Sequence, residues 1–175
     1  MSARRPQPSE YVDYYEGYVA RVPDGPIVEF LEADGAALAS LLAEVPQELE
    51  GHRYAPGKWS IREVVAHVID AERMFTTRAL AFARGDHGPY PAFDENRYAA
   101  ECGAEARTLA DLAEEFAAVR RATVLFFRKL PEAAWERRGV ASGNDFTVRS
   151  LAWITAGHSV HHAGLIRERY LGASA

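Results

Sequence analysis

The chain has 175 residues, 48% of them apolar and 26% charged, with a formal net charge of −5. This size and balance predict one globular domain over residues 1–175, with room for a substantial core. They argue against nucleic-acid binding, which normally needs a basic stripe; the densest basic run, Arg137-Arg138, is too small to supply one.

Cys102 is the single cysteine, so no internal disulfide can form, and a reducing compartment fits. The start, Met1-Ser-Ala-Arg-Arg-Pro, is not followed by the apolar core of a signal peptide. No apolar stretch reaches the roughly 18 residues that a membrane span requires. The expected location is the cytoplasm.

Tyr11 to Val19 carries four tyrosines and predicts a short helix, either packed across the end of a bundle or serving as a lid over a pocket. The first long helix is expected from Pro26 to Val45, with Ile27, Phe30, Leu31, Leu38, Leu41 and Leu42 at helical spacing. The second runs from Ser60 to about Ala83. Ser60 and Glu63 form a capping box, Trp59 and Val64 a hydrophobic staple, and Gly85 follows as a stop. Arg84 to Arg107 is too long for a helical hairpin and predicts a crossover connection. The third helix spans Leu109 to Leu130, opened by Thr108 and Asp111. Residues 139–146 read as a turn-rich connection. The fourth helix begins near Thr147, with Phe146 and Leu151 as its staple, and continues to about Tyr170. The class is all-α, a four-helix bundle.

His158 and His162 stand at i,i+4 on the stripe of Leu151, Ile154, Thr155, Leu165 and Ile166. His67 shares an apolar row with Val64, Ala71 and Met74. Burying these imidazoles without partners is costly, and one shared metal ion would satisfy all three. Hydrogen-bonded core histidines are the competing reading, and spacing alone does not choose between them. The metalloprotease pattern H-E-x-x-H is absent, as are the carboxylate set of a di-iron bundle and a cysteine pair. His67 lies early in its helix and the pair late in theirs, which suits antiparallel helices. A crossover before the third helix would produce that relation. Asp70 and Glu63 flank His67 and could orient its ring, although Glu63 already serves the cap. His161 could line the pocket or pack. Trp59 and Trp153 read as core aromatics, His52 and His87 as solvated loop residues, and Cys102 lacks an activating neighbour.

The run Tyr54-Ala-Pro-Gly-Lys-Trp-Ser-Ile-Arg-Glu-Val-Val-Ala-His67, followed by Ala71-Glu-Arg-Met-Phe, resembles the DinB-like family. Leu151-Ala-Trp-Ile-Thr-Ala-Gly-His158-Ser-Val-His-His162 carries the same likeness, which extends over roughly Tyr11 to Leu171. The resemblance implies an up-down-down-up bundle, often a homodimer, with a divalent ion on His67, His158 and His162. Zinc is the first choice of ion and nickel the second. Relatives include transferases and isomerases that use bacillithiol or mycothiol. The leading expectation is therefore activation of a low-molecular-weight thiol for S-transfer to an electrophile. A hydrolase using a metal-bound hydroxide and a non-catalytic metal-binding stress protein are the alternatives, so enzymatic status stays open and no catalytic residue is assigned. The family name refers to induction by DNA damage and implies no DNA binding.

Overall fold

The computed structural model describes residues 4–172; Met1 to Ala3, part of the stretch read against a signal peptide, lie outside the described residues. Among the described residues six α-helices follow one another: α1 (Glu16–Val19), α2 (Ile27–Ala43), α3 (Ile61–Ala83), α4 (Glu95–Glu101), α5 (Leu109–Arg128) and α6 (Val148–Leu165). The four long helices form the bundle, and their ends are set by local chemistry. Ser60, Thr108 and Thr147 each cap the helix that follows through a reciprocal capping box, which satisfies backbone N–H groups that the first turn leaves unpaired.

Shared core clusters fix the relative directions of the helices. The start of α3 (Ile61, Val64, Val65) packs with Ala163 at the end of α6, with Ile166 just beyond it, and with the start of α5 (Leu109, Leu112). Its far end (Phe75, Ala79, Phe82) meets the start of α6 (Val148, Leu151) and the end of α5 (Val124, Phe127). Helices α3 and α5 are thus parallel and α3 and α6 antiparallel. Helix α2 sends Leu31 to the α6 start and Leu38 to the α5 start. The topology is up-down-down-up, as expected, with the long connection between α3 and α5 making the crossover.

Two local differences from the expectation have plain causes. Residues 139–146 lie within a β-hairpin, β1 (Arg138–Ala141) against β2 (Asn144–Thr147), in antiparallel register. Ser142 and Gly143 both have positive φ (53° and 76°), which suits a tight two-residue turn whose twist matches the strands. Part of the crossover runs beside this hairpin: Tyr90 N donates to Val140 O and Ser142 N to Tyr90 O, both at 2.9 Å. Helix α6 also ends earlier than expected, passing into a π-helical turn over Ile166–Tyr170. There the Tyr170 hydroxyl donates to Trp59 O at 2.5 Å and pins the entrance of α3.

Helix α6 is the central strut. Every residue from Val148 to Ser159 is buried, so the apolar stripe read from the sequence is part of a helix enclosed all round. Among the described residues no helix is long and apolar enough to cross a membrane.

Candidate metal centre

Helix α3 supplies His67 and helix α6 supplies His158 and His162, all buried at 6–8% exposure. His67 Nε2 lies 3.0 Å from His158 Nε2, which lies 3.2 Å from His162 Nε2. All three ligand atoms fall within 4.8 Å of one another. The antiparallel pairing of α3 and α6 produces this meeting, because it brings the early turns of one helix level with the late turns of the other. Two nitrogens bonded to one ion at 2.0–2.1 Å in tetrahedral geometry stand about 3.3 Å apart, close to both short separations. The three residues could hold a metal ion.

Their electrostatics suit that role. Burial pushes His67 down to about 4 and His162 down to about 3, and neighbouring histidines act in the same direction. His158 is held well below the usual range by burial and then by His162 and His67. At neutral pH the three imidazoles are uncharged and their lone pairs are free to coordinate. Without an ion, the Nε2 of His158 can give at most one proton to two close nitrogen neighbours.

The two candidate orienting carboxylates form no hydrogen bond with the histidines among the described residues. Glu63 accepts from Ser60 N at 2.6 Å and from Arg53, while Asp70 faces a separate cleft with Cys102, Arg107 and Glu115. Nδ1 of His67 and Nδ1 of His162 are buried without a protein partner among the described residues. The ring of His161 packs beside Tyr18 (5.3 Å) and His162 (4.9 Å). His52 and His87 are exposed, as expected of loop residues. Trp153 is a core aromatic, fully buried. Trp59 is instead half-buried beside the site, its ring 4.8 Å from that of His67.

The histidines line a cavity of about 460 Å³. Tyr14, Tyr15 and Tyr18 of the N-terminal segment form one wall, so the tyrosine-rich stretch both packs on the bundle and bounds the pocket. Phe75, Arg78, Phe93, Glu95 and Ser142 are among the other residues that line it. Arg78 follows His67 by three helical turns on one face of α3, so helical periodicity is the signal that points it to the same cavity. Phe93, Glu95 and Ser142 come from the crossover and the hairpin, and no local pattern points them at the histidines.

A family model for the DinB superfamily matches residues 31–166. The chain belongs to the DinB superfamily. Solved structures agree on the fold. YfiT from Bacillus subtilis, described as "a probable metal-dependent hydrolase with an unusual four-helix bundle topology", superposes with a TM-score of 0.73 at 18% identity, over 97% of this chain and 94% of that one. A mycothiol-dependent maleylpyruvate isomerase gives a TM-score of 0.68 at 18% identity, over 85% of this chain and 60% of that one. YjoA, a DinB-like protein from Bacillus subtilis, gives 0.60 at 20% identity, over 86% of this chain and 94% of that one. At these identities the likeness is one of fold. Among curated proteins, none matches significantly.

Proposed function

We propose that this DinB-superfamily protein holds one divalent ion on His67, His158 and His162 and uses it to activate a low-molecular-weight thiol for S-transfer to an electrophile. The observation that carries the reading is the convergence of three neutral, buried Nε2 atoms on the wall of a cavity large enough for a small molecule. Three uncharged ligands leave the ion its full charge and an open position, the pattern of catalytic rather than structural sites. When bound, such an ion supplies Lewis acidity that favours the ionised form of a coordinated thiol or water.

The chain's own residues do the rest. The histidines fix the position of the ion across two helices, and the tyrosine wall with Phe75 and Phe93 gives the cavity aromatic sides. The mycothiol-dependent isomerase among the structural neighbours supports the thiol reading. This chain spans only 60% of that enzyme's length, whereas it matches YfiT nearly end to end. That coverage favours metal-dependent hydrolysis as the second reading. Zinc is the ion we expect first and nickel second, in a cytoplasmic protein.

A direct test is to supply zinc- or nickel-loaded protein with mycothiol or bacillithiol and a reactive electrophile, alongside ester substrates without thiol. Thiol-dependent turnover that disappears in His67→Ala supports the leading reading. Ester turnover that needs no thiol supports the second.

A further inference from the structure

The cavity that holds the histidine cluster also holds Arg78, which is only 1% exposed. The other strongly buried arginines of the fold are neutralised: Arg120 by Glu72 and Asp34, Arg149 by Glu10. Arg78 forms no ion pair among the described residues. Its Nη2 donates to Pro91 O at 2.8 Å and to Ser142 Oγ at 3.3 Å. Its Nε is buried with no partner, and Nη1 makes no hydrogen bond among the described residues. A guanidinium has five N–H donors, so three are unpaired among the described residues, the buried Nε–H being one of them.

The two bonds it does make tie the crossover and the hairpin turn to α3. Neutral acceptors do not require a permanent charge, however, and an unpaired buried cation opposes folding. Glu95 lines the same cavity, but its charge acts on His67 and Tyr15, and it forms no ion pair with Arg78. The Cα levels of His67 and Arg78 differ by about 16 Å along α3. Long helical side chains lean towards the helix N-terminus, which here means towards the histidines. Phe75 lies between the two levels.

The geometry points to Arg78 as the anchor for a carboxylate on the small molecule that enters this cavity. The ligand class is an organic acid with an apolar body, its charged end on Arg78 and its other end towards the histidines. Which end reacts rests on the metal reading above; the carboxylate subsite itself needs no ion.

The test is calorimetric titration of 3-phenylpropanoate and its uncharged amide into the full-length chain, both zinc-loaded and after chelation. Hydrogen bonds to a charged partner imply that the acid binds at least about tenfold tighter than the amide in both states. Arg78→Gln should lose that advantage with the amide's affinity unchanged, and Arg78→Lys should keep part of it. His67→Ala should lose zinc and should then prefer the acid as the chelated wild type does. Arg78→Met, which removes the charge together with both hydrogen bonds, should lose the preference for the acid as Arg78→Gln does. Equal binding of acid and amide by the wild type overturns the anchor whatever the variants do. So does an unchanged preference in a folded Arg78→Gln or Arg78→Met protein. Failure to take up zinc, with the acid preference intact, would remove the metal reading and leave the anchor standing.

Discussion

Gly157 of α6 lies against the main chain of Tyr18, so closely that a Cβ on the glycine would stand 1.9 Å from the tyrosine's carbonyl oxygen. This contact seats α1 on α6 one residue before His158, and it leaves the Tyr18 ring 5.4 Å from the His158 ring. The pocket wall and the histidine cluster are therefore positioned by the same stretch of helix.

Backbone cannot yield as the end of a flexible side chain can. Gly157→Ala should force α1 away from α6 at a cost of roughly 1–3 kcal/mol. Urea unfolding should show the loss as a lower midpoint. An unchanged midpoint would mean that α1 is not held by this contact.

Arg120 joins three helices. Its guanidinium meets Glu72 at 2.9–3.1 Å, Asp34 at 2.7 Å and Leu31 O at 2.9 Å, all in the core. Arg120→Ala would leave two buried carboxylates without their cation, and should cost about 3–5 kcal/mol. Replacing Arg120, Glu72 and Asp34 together by apolar residues should cost much less. Metal stoichiometry should stay at the wild-type value in whatever fraction folds, measured by chemical denaturation and metal analysis of the soluble protein.

The histidines make the stability of the metal-free protein depend on pH, and the sign follows from their depressed values. Unfolded imidazoles take up protons near 6.5, whereas folded His67 resists until about 4 and His162 until about 3. Between those limits the unfolded state binds more protons, so stability falls as pH falls. Thermal melts of chelated protein from pH 7 to pH 4 should show a declining midpoint, and His67→Ala should flatten the decline. An equally steep decline in that variant would place the titrating groups elsewhere.

Much of this was legible in the sequence, because capping boxes and i,i+4 spacing are local. Ser60 with Glu63 and Thr108 with Asp111 mark helix starts that the structure keeps, and His158 with His162 share a face by spacing alone. The hairpin was harder to see: its strands have four residues each and meet across Ser142 and Gly143, which read as loop. Arg78 was missed because a charged residue on α3 looks solvent-facing. Only the crossover and the hairpin, which come from distant parts of the chain, enclose it. Trp59 reads as a core aromatic, yet it sits half-buried at the wall of the cavity while its staple partner Val64 lies in the core.

The position of Trp59 supplies an optical readout. Its ring lies 4.8 Å from that of His67, so an open-shell ion at the cluster should quench its emission. Titration with nickel or cobalt should lower tryptophan fluorescence with saturation at one equivalent. Trp59→Phe should lose most of that response while Trp135 and Trp153 continue to emit. Quenching that persists undiminished in Trp59→Phe would place the ion away from the histidines.

The most direct measurement is the metal content of tag-free protein purified without chelators, compared with His67→Ala, His158→Ala and His162→Ala by elemental analysis. One divalent ion per chain is expected in the wild type, with each substitution reducing it to a small fraction in protein that still shows a helical spectrum. A wild type free of stoichiometric metal, or variants that hold as much as the wild type, would contradict the three-histidine centre.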